Sequence, residues 1–266
     1  MSKKITKIEA QKHQGRYNVY MDGQFAFPVA ESVLIKFRLM KGMELDAAQI
    51  AEITTDDQIA KAYGRMLDYL SHQLRTEQEV VQKMHDLHIP EEYIEPVLKK
   101  LRYERLLDDH NYAASYVRTV MRTELKGPGV IRQKLRFKGV GELDIDDSLQ
   151  QFTEERQIEN ATKLAQKLFR RYHAQPTRRR EEKVRQGLIT NGYQADIFNM
   201  VKDEVKPAEN LTQQSELLNL QAEKAVKKYR QYQGYERQMK IKQNLYRKGF
   251  DLDDIDDWIT EHNVND

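Results

Sequence analysis

Apolar residues recur along this chain with two different periods. Between residues 17 and 27 the period is two: Tyr17, Val19 and Met21 alternate with Asn18 and Tyr20, Asp22-Gly23 interrupts, and Phe25 and Phe27 resume the alternation. An Asp-Gly pair between alternating runs predicts a tight β-hairpin, because both central residues of such a turn need positive φ. Lys4 to Ala10, carrying Ile5 and Ile8, is a candidate third strand, and Lys41 to Leu45 a further short one. So small a sheet needs a cover, and Glu31 to Phe37 offers Val33, Leu34 and Phe37 at helical spacing. Residues 1–55 are read as a β-rich domain, with the aromatic residues as its core rather than as a base-stacking surface.

From residue 56 the period is helical, and the helical pattern itself repeats. Four short strings align: Met84 to Ile89, Leu135 to Val140, Leu188 to Tyr193 and Leu245 to Phe250. Each sets two apolar residues five apart around Leu-His, Lys-Gly, Asn-Gly or Lys-Gly, and successive strings begin 51, 53 and 57 residues apart. The first apolar residue closes a helical stripe, glycine or asparagine permits a left-handed turn, and the second apolar residue packs back, so each string predicts a helix stop. An acidic opening and an isoleucine follow each one (Ile94, Ile145, Ile197, Ile255), which predicts another helix.

Ahead of each string stands a further amphipathic segment, marked by Tyr63, Leu67 and Leu70, by Tyr112, Tyr116 and Val117, by Ala161, Leu164 and Leu168, and by Ala222, Ala225 and Tyr229. Thr76 and Glu79 have capping-box spacing. The expected fold is therefore mainly α: tandem three-helix repeats at 56–106, 107–152, 153–206 and 220–266, with 207–219 as a linker. One such repeat is marginal alone, whereas stacked neighbours share apolar faces, so an elongated, curved array is expected.

Composition narrows the function. Apolar residues make up 39% and charged residues 32% of the 266, and mean hydropathy is −0.82, a supply suited to thin helical layers. Cysteine is absent, no apolar run follows the basic start Met1 to Lys4, and no stretch approaches the roughly 18–20 apolar residues that cross a bilayer. The expectation is a cytoplasmic protein with no membrane association. A net charge of +2 argues against simple coating of polyanions.

Its distribution says more. Residues 118–138 sum to +6 and 141–159 to −6; residues 220–249 sum to +7 and 251–266 to −7. Blocks of opposite sign on neighbouring helices can pair with one another or steer the molecule onto a charged partner. The candidate partner-facing set is Arg75, Arg118, Arg122, Lys126, Arg132, Lys134, Arg136 and Lys138. Arg170, Arg171, Arg178, Arg179 and Arg180 form the densest cluster, beside Tyr172 and His173, where phosphate contact is conceivable.

Catalytic patterns are sparse. The seven histidines (His13, His72, His85, His88, His110, His173, His262) are dispersed, and His85 with His88 would supply only two zinc ligands where three or four are usual. Lys126-Gly127-Pro128-Gly129 lacks the phosphate-loop spacing, and its proline suits the first position of a helix. The run Asp251, Asp253, Asp254, Asp256 and Asp257 could hold Mg²⁺ for a nuclease, but an acidic helix start needs no metal. No catalytic residue, metal site or cofactor is assigned, and a binding protein is the preferred reading.

Taken in order, Tyr63 to Leu70 running into Arg75-Thr76-Glu77-Gln78-Glu79-Val80, Leu107-Asp108-Asp109 leading to Tyr112-Ala113 and Tyr116-Val117-Arg118, and Lys126-Gly127-Pro128 with Ile131, Leu135 and Gly139 resemble the RecX family across nearly the whole chain. The resemblance implies a non-enzymatic cytoplasmic regulator acting in homologous recombination, DNA repair and the SOS response. It would bind the RecA filament on single-stranded DNA, most often inhibiting its ATPase, strand exchange and coprotease activity, as a monomer without a cofactor. The chain departs from the pattern at His88, where the other units have glycine or asparagine before the final apolar residue, and at His110-Asn111, which puts local capping in question. Two other classes remain open on the residues alone: a non-specific DNA-binding protein, and a metal-dependent nuclease.

Overall fold

The computed structural model describes residues 2–12, 14–207 and 211–262. The chain divides into two compact parts, Met1–Ser115 with Leu135–Asp146, and Tyr116–Lys134 with Asp147–Asp266.

The first part opens with strands β1 (Lys3–Ala10), β2 (Arg16–Met21) and β3 (Gln24–Ala30), helix α1 (Glu31–Lys36) and a short strand β4 (Glu44–Leu45). They form an antiparallel sheet of order β3-β2-β1-β4. The hairpin turn is the one predicted, with Asp22 at φ +51° and Gly23 at +83°. One face buries Ile5, Val19, Met21, Phe27 and Val29 under Val33 of α1. The expected alternation fails at Phe25. The register shifts between Val19 and Tyr20, so Phe25 pairs with Tyr20, lies exposed, and meets the Tyr20 ring edge-on at 6.0 Å.

Helix α2 (Ala47–Ser71) runs unbroken through the expected domain boundary at 55/56. Its apolar residues change partners instead: Ile53 packs on the sheet, while Ala62, Tyr63 and Met66 join the first helical core. Buried Asp57 fixes the changeover, accepting from both terminal nitrogens of Arg16 (2.9 and 3.0 Å) and from the Ala30 amide (2.7 Å). With α3 (Glu77–Asp86) and α4 (Glu91–Tyr103), the second half of α2 makes the first three-helix module. Thr76 and Glu79 form the predicted capping box on α3.

The second module is α5 (Asp109–Thr123), α6 (Pro128–Phe137) and α7 (Glu142–Leu149); the third is α8 (Glu154–Arg171), α9 (Thr177–Thr190) and α10 (Ile197–Val205). The fourth is α11 (Leu211–Lys228), α12 (Gly234–Lys248) and α13 (Leu252–Glu261). Residues 211–219, expected as linker, are thus helix. Leu218, Ala222 and Ala225 repeat at helical spacing and are buried together with Trp258, which outweighs the polar look of the segment. Residues 208–210 lie outside the described residues.

All four stop strings form the same cap. His88, Gly139, Gly192 and Gly249 have φ of +56°, +81°, +91° and +98°. The amide of each following residue reaches back to the carbonyl five positions earlier: Ile89 to Met84 at 3.0 Å, Val140 to Leu135 at 3.1 Å, Tyr193 to Leu188 at 3.2 Å and Phe250 to Leu245 at 3.3 Å. His88 therefore caps like the glycines despite its side chain.

The reason the other three strings use glycine lies at the joints between modules. Each string abuts the first turn of the second helix in the preceding module. The Lys138 carbonyl accepts from the Thr76 hydroxyl at the start of α3 (2.7 Å), and a Cβ on Gly139 would strike the Gln78 side chain. The amides of Gly127 and Gly129, at the start of α6, donate to Asn191 and Gly192 carbonyls at the end of α9 (2.7 and 2.9 Å). A Cβ on Gly249 would stand 2.6 Å from Cβ of Arg179, at the start of α9. At the first two joints, helix-end acceptors meet helix-start donors, so the groups a helix leaves unpaired at its two ends satisfy each other. The first string docks on no earlier module, and His88 is exposed.

Candidate functional site

The cations singled out in the sequence divide between the two compact parts. In the first compact part, Arg75 stacks on Tyr69 (4.4 Å to the ring centre) and lies 3.6 Å from Glu79. Lys138 donates to Glu79 at 2.8 Å. Burial alone would raise the Glu79 carboxyl, but Lys138, the Thr76 amide and Arg75 outweigh it and hold the group below its ordinary range. Arg136 forks onto Glu142. These three side chains are tied into the module faces and joints.

In the second part, Lys126 donates to Asn191 Oδ1 (2.9 Å) and Lys134 lies 3.8 Å from Glu124. Arg132, half-buried, is also engaged within the protein. The triple arginine separates: Arg178 lies over the Tyr246 ring at 4.3 Å, Arg179 pairs with Glu182 at 2.9 Å, and Arg180 turns inward. Both Nε and Nη2 of Arg180 donate to the Phe169 carbonyl (3.0 and 2.8 Å), capping the end of α8, and burial lowers its pKa. Since the amides of Gly127 and Gly129 already serve Asn191 and Gly192, the Lys126-Gly127-Pro128-Gly129 segment offers neither to a phosphate.

Arg118 and Arg122 do share a site. They are four apart on one face of α5, facing Arg156 and Lys163, which are seven apart on α8. The groove between them has a volume of about 570 Å³. Buried Asn160 sets its floor, donating from Nδ2 to the Met121 carbonyl at 3.1 Å and so tying α8 to the end of α5. Arg118 donates to Gln151 on the rim (3.1 Å).

Two carboxylates line the same groove. Glu159 accepts from Lys163 (2.7 Å) and Arg156 (3.0 Å), and Lys163 in particular holds its carboxyl below the ordinary range. Glu124 pairs with Lys134. Arg122 has no carboxylate within ion-pair distance among the described residues. The groove thus keeps a positive surplus in exposed, exchangeable side chains, suited to the oxygens of a phosphate or carboxylate partner. Arg156 and Lys163 were missed in the sequence because Arg156 lies within the stretch that sums to −6; their spacing of seven along one helix face was the available signal.

The candidates for metal chemistry do not converge. His85 approaches Glu91 (3.1 Å) and His110 approaches Asp144 (3.3 Å), while His88 caps α3. His13 is outside the described residues. Asp251 stands at the start of α13, and Asp256 pairs with Lys242. Among the described residues no three histidine, aspartate or glutamate side chains are grouped to hold a metal ion, and no helix is long and apolar enough to cross a membrane.

Comparison with known proteins places this architecture. Residues 3–46 match the N-terminal domain of regulatory protein RecX, 62–101 its first three-helix domain, and 108–149 its second. The third three-helix domain matches twice, over 154–201 and 212–259. The chain belongs to the RecX family of regulatory proteins. Regulatory protein RecX of Limosilactobacillus reuteri is 62% identical over 256 residues, covering 96% of this chain and 97% of the relative. That of Levilactobacillus brevis is 52% identical, covering 97% of each, and that of Bacillus cytotoxicus 38%, covering 96% of each. A crystal structure of regulatory protein RecX superposes with a TM-score of 0.72 at 66% identity, covering 76% of this chain and 99% of that one. RecX from Lactobacillus salivarius gives 0.54 at 41% identity, covering 56% of this chain and 97% of that one. The double match shows that the fourth module of this RecX chain is a second copy of the third type.

Proposed function

We propose that this RecX-family chain regulates the RecA recombinase by binding its filament on single-stranded DNA and slowing ATP hydrolysis, strand exchange and coprotease activity. The observation that carries the reading is the groove of Arg118, Arg122, Arg156 and Lys163, set in a chain of the regulatory family. A nucleoprotein filament repeats acidic side chains and phosphates along its length. A set of exchangeable cations on tandem modules can engage it through many weak contacts that add. On this reading the chain is a binding protein and not an enzyme. It needs no cofactor, works as a monomer, and acts in the cytoplasm, where recombination and the SOS response run.

The test is RecA ATPase on single-stranded DNA, titrated with the parent chain and with an Arg122→Glu, Arg156→Glu variant. The expected result is a dose-dependent fall in hydrolysis with the parent and a weaker fall with the variant. Unchanged hydrolysis at every ratio of the parent rejects inhibition. The same basic groove favours one competing reading, a protein that binds DNA without touching RecA. Under that reading the inhibition disappears once bare DNA is in excess, and affinity for DNA falls steeply with salt.

A further inference from the structure

The third joint differs from the other two. The start of α6 is met by backbone acceptors, and the start of α3 by the Lys138 carbonyl and its own capping box. At the start of α9, Pro176 occupies the cap position and no side chain caps the helix. No protein acceptor serves the amides of Thr177, Arg178 and Arg179 among the described residues. Beside this helix start, lined by Pro176 and Arg179, opens a cavity of about 450 Å³, within the range of ligand sites.

Four cations line it, Arg179 and Lys183 from α9 and Arg247 and Lys248 from α12, and no carboxylate does. Arg179 reaches Glu182. Lys183, Arg247 and Lys248 have no carboxylate within ion-pair distance among the described residues. Lys248 donates to the neutral Gln221 (2.8 Å); burial lowers its pKa, and the nearby Lys224 and Lys228 lower it further. Lys183 lies over the Tyr172 ring at 5.1 Å and Arg247 donates to the Gln243 carbonyl at 3.3 Å, contacts that leave the formal charges unneutralised. Like charges gathered around a partly buried ammonium cost free energy, and a chain that keeps such a cost without a neutralising carboxylate commonly does so at a binding site.

We propose that this cavity is a phosphate-binding site, in which Arg179, Lys183, Arg247 and Lys248 hold a phosphate-bearing ligand, either a nucleic-acid backbone or a free polyphosphate, against the first turn of α9. The helix start beside the cavity contributes its partial positive charge, and the four side chains contribute formal charge. The site depends on the two modules of the same type meeting at this joint, since α9 belongs to one and α12 to the other. It stands whether or not RecA is the partner.

The full chain is tested without RecA, using inorganic pyrophosphate and fluorescent oligo(dT) as probes. Lysine acetylation on the parent protein should slow at Lys183 and Lys248 when the ligand is present and stay unchanged at exposed Lys99. Shielding by pyrophosphate supports the site with a free polyphosphate as ligand, and shielding by oligo(dT) alone supports it with a nucleic-acid backbone. A Lys183→Gln, Arg247→Gln variant should bind the shielding probe about tenfold more weakly. For oligo(dT), its slope of log affinity against log salt should be shallower by about 1.4, at roughly 0.7 for each phosphate that the variant no longer neutralises. If neither probe shields the lysines, or the folded variant binds as tightly as the parent, the proposal is overturned. Should the variant fail to fold, the acetylation pattern of the parent decides alone.

Discussion

Consider the same substitution, glycine to alanine, at Gly64 and at Gly127. Gly64 lies exposed in the middle of α2, and a Cβ there meets nothing within 4 Å. Alanine should stabilise that helix by roughly 0.5–1 kcal/mol through propensity and a less flexible unfolded chain. Gly127 is buried at the joint between the second and third modules, and its φ is not positive, so backbone conformation adds no penalty. A Cβ there would stand 2.5 Å from the Gly192 carbonyl carbon, 2.6 Å from its oxygen and 2.7 Å from the Tyr193 nitrogen. All are backbone atoms, so relief means moving a helix end by about 1 Å to reach ordinary contact. That shift breaks the hydrogen bonds from Gly127 and Gly129, at about 1 kcal/mol each. Overpacking adds about 1–3 kcal/mol more, for a loss near 3 kcal/mol after the alanine's own gain. Calorimetry on the full chain should show the transition of the second compact part falling by roughly 6–12 °C in Gly127→Ala, and that of the first part rising by a few degrees in Gly64→Ala. A Gly127→Ala melting temperature equal to or above the parent's would refute the close approach and with it this account of the joints.

Other outcomes follow from single contacts. Asp57→Ala leaves the Arg16 guanidinium and the Ala30 amide without their acceptor; because Arg16 keeps some access to water, the loss should be about 2–3 kcal/mol by chemical denaturation, against at most about 0.5 kcal/mol for Lys36→Ala at the exposed Lys36–Asp56 pair. The Glu79 carboxyl is depressed in the folded state, so its contribution is present above the unfolded value, about pH 4.3, and is lost as pH falls through the lower folded value. Melting temperature followed from about pH 6 to pH 3 should therefore fall less in Glu79→Gln than in the parent, and identical profiles would contradict the assigned partners. In the groove, Arg122→Glu with Arg156→Glu should leave melting within a degree or two, since exposed pairs contribute about 0–1 kcal/mol, while weakening inhibition of RecA; a large melting loss would mean these side chains are structural.

The fold was largely legible because its stop signals are local chemistry. An apolar residue, a left-handed position and a second apolar residue five on specify a hydrogen-bond pattern, and all four strings form it. His88 departs from the glycine rule for a reason that one string in isolation does not contain. The left-handed turn tolerates a non-glycine residue at a modest cost, whereas the joint to an earlier module does not tolerate a Cβ, and only the first string lacks such a joint. At two expected boundaries a helix runs where the sequence suggested a break. At residue 55 the helix continues while its partner changes, and at 211–219 a polar-looking stretch carries few but well-spaced apolar residues. Periodicity reports that a helix exists; which core it joins is a tertiary fact.

The binding surfaces were far less legible, because charge summed along the chain is not charge summed over a surface. The stretch 118–138 distributes its cations between the two compact parts, where Lys138 and Arg136 serve internal carboxylates and Lys126 serves a joint. Of the cations in that stretch, Arg118 and Arg122 line the groove, and the cations facing them come from a helix whose opening is acidic. The arginine cluster at 178–180 shows the same effect over three residues: each points to a different task, because successive helical positions turn by about 100°. What separates a binding cation from a structural one is whether a protein acceptor already occupies it. By that measure Arg180, with two bonds to the Phe169 carbonyl, is part of the scaffold and Arg247, whose Nε donates to the Gln243 carbonyl at 3.3 Å, is partly held, while Arg122 and Lys183 are side chains left able to meet a partner.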